Sequence, residues 1–546
     1  MSTEKSENDA ASRPSLASDG GASERRGARF ALIGLVLLLL FGGIARSRLL
    51  LESSPYVLHE DELIATRRGA RMMETGDWNP RFFRYPSLTI YLTAAAFGTG
   101  HLLQGEAPSA ETGELEPTYE RPEIGLAPRF MLSALSLATL AFVGFLAMRA
   151  FGSPALLFLA PLALSLSPRF LMMSWTYVNV DLVGAFVCTG ALALLFATRH
   201  RESWVARAFL PGLLTGLAVG AKYYLGLIGL PAACLIIAAR RKHFARNTLI
   251  IVAMTIVGFL ISTPYSLLDP EFFVEQVQRE MEHYSSGHKG AEAEAGLAQM
   301  SYYLGRTWAE FGWGPCLFGL IGIVAGFRQK PRETALLLAF PVALLLFLST
   351  QRVHFIRNFL SVYTLFPVFI AFGCLASWRA LLTLLPKSGT GTRVFACALV
   401  LVAFALTAPR SRIRGSYGAA PDSRNRAVEW IEANRAPGSI VYVADELMLD
   451  ARRLEEDFEV KRGALAALPL TALSRQAKQK STSAVLLVPE LNANAARDDL
   501  VRRPSSRAER KLTVLFRAGS NRVPRGQKRL LHLGDPELEI RQLLAP

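Results

Sequence analysis

His59–Leu92 reads HEDELIATRRGARMMETGDWNPRFFRYPSLTIYL. It follows a long apolar run directly and sets three carboxylates, Glu60, Asp61 and Glu62, where that run would leave a membrane. A polar, helix-patterned stretch comes next, then a Gly76-Asp77-Trp78-Asn79-Pro80 break. Arg81, Arg84 and Tyr85-Pro86 precede another apolar run. An acidic group at a membrane surface with arginines about twenty residues on could accept a proton and hold a phosphate.

Toward the N-terminus, the apolar run Phe30–Ala45 follows Arg25, Arg26 and Arg29, which places the N-terminus in the cytoplasm. Residues 1–28, rich in Ser, Ala, Glu, Arg and Gly, are expected to be disordered. The long leader and the lack of a small-residue cleavage site point to an anchor rather than a cleaved signal.

Toward the C-terminus, apolar runs recur at 127–148, 154–173, 179–198, 206–221, 223–239, 248–266, 309–327, 334–350, 358–378 and 393–409, each near the ~20 residues a span needs. The fold class expected is an all-α polytopic membrane protein of about 11–13 transmembrane helices, followed by a small α/β domain. Basic loops at Arg199–Arg207, Arg240–Arg246, Arg328–Arg332 and Arg379–Arg393 should be cytoplasmic. Alternation then puts Asp181, Lys222, loop 267–300 and Gln351–Arg357 outside with Asp61. The parity holds only if 86–103 is an interfacial or re-entrant helix. It also puts the C-terminus outside, against the mild contrary signal of Arg410, Arg412 and Arg414. The acidic, Pro-rich insert 105–125 is expected to be a surface loop.

The net charge is +15 and 51% of residues are hydrophobic. The basic residues sit in short loops between spans, and no aromatic-basic pattern suggests nucleic acid. Five cysteines, all inside apolar runs, read as small buried hydrophobes. No Walker A, GxGxxG or Ser-His-Asp signature is present, which argues against a nucleotide-driven pump. From Asp422 the pattern changes to an amphipathic helix, a Pro-Gly turn and the strand candidates SIVYVADE, SAVLLVPEL and KLTVLFRAG.

Several residues could carry chemistry, each with a plainer explanation beside it. Asp61 and Glu62 suit a general base, and equally the N-terminus of a helix, where carboxylates complement the macrodipole. Arg81, Arg84 and Tyr85 suit a phosphate, and equally an aromatic and basic membrane edge. Asp181 and Lys222 interrupt apolar stretches, where ionisable groups are costly and usually functional; a short turn into water also explains Lys222. Glu282, His283, His288 and Lys289 lie in an outer loop with no closed metal-ligand set, so a divalent metal is not indicated. Arg352, His354 and Arg357 could hold a lipid phosphate.

Asp61-Glu62, then Gly76-Asp77, then Arg84-Tyr85-Pro86, with Asp181 in YVNVD, Lys222 in GAKYY, Glu282-His283 with His288, and Arg357, resembles the GT-C superfamily of membrane glycosyltransferases. The likeness is to glycosyltransferase family 39 and its bacterial relatives, the protein O-mannosyltransferases and lipid A aminoarabinose transferases, over about residues 30–410. It implies a transmembrane domain at 29–410 whose first outer loop, 51–125, forms juxtamembrane helices, and leaves 411–546 as a separate domain. It implies transfer of a sugar from a polyprenyl-phosphate donor to an acceptor hydroxyl, with inversion, on the outer face of a bacterial inner membrane. Asp61, with Glu62, would be catalytic. Arg81, Arg84, Tyr85, Asp181, Lys222, Glu282, His283, His288, Arg352 and Arg357 would contact the substrate or its phosphate. His59 and Glu60 ahead of the pair, and the 105–125 insert, depart from the pattern. A transporter or flippase of a lipid-linked or anionic substrate is the competing expectation, and a non-catalytic scaffold the third.

Overall fold

A computed structural model of the chain describes residues 16–54, 56, 59–105, 125–201, 203–238, 243–288, 291–384, 389–409, 422–447, 449, 451–463, 473, 476, 479, 484–489, 512–518 and 538–543. Most of the 105–125 insert, Lys289, the basic positions 240–242 and the 410/411 boundary with Arg410, Arg412 and Arg414 lie outside them.

In chain order the helices are α1 Leu16–Ser53, α2 Glu60–Thr75, α3 Leu88–Gln104, α4 Ala127–Phe151, α5 Leu156–Ser165, α6 Pro168–Met173, α7 Val180–Thr198, α8 Leu210–Ala221, α9 Leu230–Ala238, α10 Phe244–Ser262, α11 Tyr265–Leu268, α12 Pro270–Ser286, α13 Leu297–Phe311, α14 Trp313–Gln329, α15 Pro331–Ser349, α16 Leu360–Leu384, α17 Thr390–Thr407, α18 Ser423–Asn434 and α19 Arg452–Asp457. Among the described residues, six stretches are long and apolar enough to cross a membrane: Arg25–Ser53, α4, α7, α10, α15 and Ile356–Leu384. The pair α13 and α14, bent by 111° at Gly312, makes a seventh if it is one span. The other expected spans are met by shorter apolar helices. Their breaks have local causes: Ser167 caps a new helix opened by Pro168, and Lys222 is extended at φ −158° between α8 and a 3₁₀ turn, Tyr223–Gly229. The chain is an integral membrane protein. Helix α1 already begins at Leu16, so the disorder expected up to residue 28 is replaced from that point by helix continuous with the first span.

The core joins α4, α5, α7, α15 and α16, with Leu140, Leu164, Leu182, Phe340 and Tyr363 inaccessible. Small residues set the closest approaches, as packing within a membrane favours. A Cβ on Gly373 of α16 would sit 1.8 Å from the Phe318 carbonyl oxygen of α14, and one on Gly322 would sit 2.0 Å from that of Phe369. Backbone cannot retreat as a side chain can, so Gly373→Ala should force the two helices apart. A loss of about 1–3 kcal/mol is expected, read as a lower unfolding midpoint in detergent.

α3, seventeen residues long and outside the set of spans, lies against α2. The contact is close: a Cβ on Gly69 would meet the Ala94 nitrogen at 2.9 Å.

The C-terminal residues form an α/β unit. Its strands are β1 Ile440–Ala444, β2 Glu459–Gly463, β3 Ala484–Pro489, β4 Leu512–Ala518 and β5 Leu538–Leu543, in sheet order β2-β1-β3-β5-β4. β1 is parallel to β2 and β3, and β5 is antiparallel to β3 and β4. β1 is buried along its whole length, as a central parallel strand should be, and Ala427, Val428 and Ile431 of α18 belong to the same core. The strands expected in SIVYVADE, SAVLLVPEL and KLTVLFRAG are β1, β3 and β4.

Candidate active site

The site is built from helix ends. His59 is the N-cap of α2, its ring nitrogen accepting from the Asp61 backbone N–H at 3.1 Å, and its ring stacks on Tyr177 at 4.2 Å. Asp61 is therefore held in the first turn of α2, where the dipole favours a carboxylate. Asn179 caps α7, accepting from Leu182 N–H at 2.8 Å while its amide donates to the Met173 and Tyr177 carbonyls. That places Asp181 in the first turn of α7.

Four helix ends bring opposite charges together. Arg357 lies 2.8 Å from Asp61 and 3.8 Å from Asp181. Lys222, buried at the end of α8, donates to Asp181 at 2.5 Å and to Asn358 at 2.8 Å. The Asn358 amide donates to the Tyr284 hydroxyl at 3.2 Å. Beside them Arg84 pairs with Glu280 of α12 at 3.0 Å. A narrow cleft opens against this group, lined by Asp61, Phe82, Tyr85, Asn179, Asp181 and Arg357 among others. Burial, reinforced by Asp61, pushes the Tyr85 hydroxyl well above its ordinary pKa. Tyr85 therefore faces the cleft as a hydrogen-bond donor.

The cluster holds three cations and three carboxylates. Exposure decides which cation an anion can reach: the Arg84 side chain is 43% exposed, Arg357 18% and Lys222 7%. Lys222, expected at the substrate, instead sits behind Asp181 and holds it.

Glu62, expected beside Asp61, stands outside the cleft lining. Its carboxylate is inaccessible and receives two hydrogen bonds at 2.7 Å from Arg129 of α4, with Val178 N–H at 3.3 Å. The bidentate pair occupies both carboxylate oxygens and ties the first turn of α2 to α4. Arg81 is displaced too. It is exposed at φ 48° and pairs with Asp77, which also binds Arg71 at 2.9 Å. The Arg71 hydrogen bond lowers the Asp77 pKa, and the turn is tied to α11 and α12 by Asn79 donating to Asp269. Glu282, His288 and the Arg352 side chain are exposed outside the ion cluster. Arg352 works through its backbone, bonding Tyr284 O and Ala293 N and so joining loop 284–296 to the turn before Arg357. His283 loses basicity to burial, only partly countered by Glu280, which makes it a poor phosphate cation.

Glu280, Asn358, Tyr284 and Arg129 escaped the sequence reading. Glu280 and Tyr284 lie one turn apart with buried Gln276 a turn before, so a polar stripe at i, i+4, i+8 was the available signal. Among the described residues no group of three or more His, Cys, Asp or Glu side chains is placed to hold a metal.

No family model and no curated protein matches the chain. Solved structures do. The apo oligosaccharyltransferase of Archaeoglobus fulgidus aligns over 83% of this chain and 69% of its own, with a TM-score of 0.50 and 12% identity. The chain has a GT-C fold. ArnT from Cupriavidus metallidurans bound to undecaprenyl phosphate aligns over 93% of this chain and 97% of its own, with a TM-score of 0.49 and 12% identity. The archaeal oligosaccharyltransferase AglB from A. fulgidus, in complex with an inhibitory peptide and a dolichol-phosphate, aligns over 83% and 69%, at 0.47 and 12%. In chain order α2 and α3 lie between the first and second long apolar spans, and Asp61 lies in the first turn of α2.

Proposed function

We propose that the chain is a membrane glycosyltransferase that moves a sugar from a polyprenyl-phosphate donor to an acceptor hydroxyl on the outer face of the membrane, with inversion. The observation that carries this is Asp61, held at the mouth of a cleft in the GT-C fold, with Arg84 exposed at the same end of the helices. The acceptor oxygen would attack the anomeric carbon as its proton passes to Asp61. The bond from that carbon to the phosphate oxygen breaks, and the polyprenyl phosphate leaves carrying the electron pair. Arg84 would receive its charge and Tyr85 would donate to it, while Lys222 and Asp181 keep Arg357 in register. The ionisable groups gather at helix ends, where transfer at a surface needs them. A carrier of an anionic substrate would need them along the spans.

The test is donor consumption by the purified protein with a panel of radiolabelled polyprenyl-phosphate hexoses. One donor is expected to be consumed. Arg84→Ala should raise the KM for that donor about 10–100-fold, the loss of one charge-assisted hydrogen bond, and Arg84→Lys should recover part of it. An unchanged KM in Arg84→Ala would remove Arg84 from the phosphate. Movement of intact donor across liposomes without consumption would favour the carrier.

A further inference from the structure

A line of contacts runs from the C-terminal α/β unit to the turn that bears Asp61. Asp422 N–H donates to the Glu52 carbonyl at 3.2 Å, and the Asn425 amide donates to the Ser54 carbonyl at 2.9 Å. Between these contacts Arg424, buried to 1% exposure, lies 3.6 Å over the Tyr56 ring, which is equally buried. The same guanidinium is locked within its own unit. It binds both Asp422 oxygens, at 2.9 and 3.0 Å, and reaches the Leu447 carbonyl just beyond β1 at 3.4 Å. Arg424 thus ties the cap of α18, the end of the central strand and the Tyr56 ring at one point.

Tyr56 passes the restraint on. Its N–H donates to Ser53 O at 3.1 Å, and its carbonyl accepts from Arg129 at 2.8 Å. Arg129 grips Glu62, the neighbour of Asp61 in the first turn of α2. Each link from Arg424 to Glu62 is buried, where hydrogen bonds and cation–π contacts are strongest.

We propose that the C-terminal unit is a clamp on the catalytic turn, with Arg424 and Tyr56 as positioning residues that hold Asp61 through Arg129 and Glu62. The clamp stands on these contacts alone; its catalytic consequence rests on the glycosyltransfer assignment. It also requires the C-terminal unit to lie on the same side of the membrane as Asp61.

Hydrogen exchange and steady-state kinetics on the full-length protein test the clamp together. Tyr56→Leu keeps an apolar side chain at this buried position and removes the ring face. It should speed amide exchange over 59–64 about tenfold, leave β1 amides at 440–444 protected, and cut kcat about tenfold with donor KM within about twofold. Tyr56→Phe retains the ring face and should lie closer to wild type than Tyr56→Leu in both readouts. Asn425→Ala, a milder change that removes only the contact to Ser54, should speed the same amides by about two- to fivefold. Unchanged exchange over 59–64 in both Tyr56→Leu and Asn425→Ala would overturn the clamp. Faster exchange with unchanged kcat would overturn the positioning role. If wild type consumes no donor, the glycosyltransfer assignment fails and the exchange rates still decide the clamp.

Discussion

Asp61→Asn should lower the rate of transfer about 10²–10⁴-fold while leaving donor binding intact. The amide has nearly the shape of the carboxylate and keeps an oxygen toward Arg357, so the cleft should hold its form. What disappears is the group that takes the acceptor proton. The charge change also matters. Asp61 faces Arg357 at 2.8 Å, and Asn at that position frees part of a guanidinium beside the cleft. Donor affinity should therefore hold or rise as kcat collapses, a split that a misfolded site does not give. Single-turnover transfer with pre-bound radiolabelled donor separates the two. Retention of more than about a tenth of wild-type turnover would place the base elsewhere.

The second large effect is on stability, at the neighbouring carboxylate. Glu62→Ala leaves the Arg129 guanidinium, inaccessible and two residues into a membrane-spanning helix, without its counter-charge. Removing one member of a buried pair costs about 3–5 kcal/mol. Arg129→Met should cost a similar amount for the converse reason. Replacing both, as Glu62→Leu with Arg129→Met, should recover most of that loss, because two apolar side chains need no partner. Thermal unfolding in detergent checks the series. If the double variant were no more stable than either single, the pair would be contributing through Tyr56 and Val178 rather than through charge. Glu62→Ala should lose activity together with stability, because the same pair holds the turn that bears Asp61, whereas Asp61→Asn should be inactive with its unfolding midpoint unchanged.

The balance of the charge cluster bears on how a phosphate would enter. Each cation has a carboxylate within 4 Å: Arg84 has Glu280, Arg357 has Asp61, and Lys222 has Asp181. An arriving phosphate must displace one of these partners. Arg84, the most exposed of the three, is the cation whose exchange costs least.

Hydropathy alone determined that the chain is a membrane protein, because length and apolarity of the runs are properties of the chain and not of its packing. Loop charge placed Asp61, Asp181, Lys222 and Arg357 on one side, and the fold does bring those four within a few ångströms. Alternation and turn chemistry marked β1, β3 and β4. Only the tertiary structure separated Asp61 from Glu62. Adjacent helical residues point about 100° apart, so one carboxylate enters the cleft and the next enters the core. Which goes where depends on where α4 brings Arg129, a contact 67 positions away in sequence. Two residues, about 200° of helix, turned Glu280 of α12 inward and Glu282 outward, and burial put Lys222 behind Asp181. The seat of the C-terminal unit on Tyr56 joins residues more than 360 positions apart. Local pattern reports how a segment folds; it carries no record of a partner brought in by the rest of the chain.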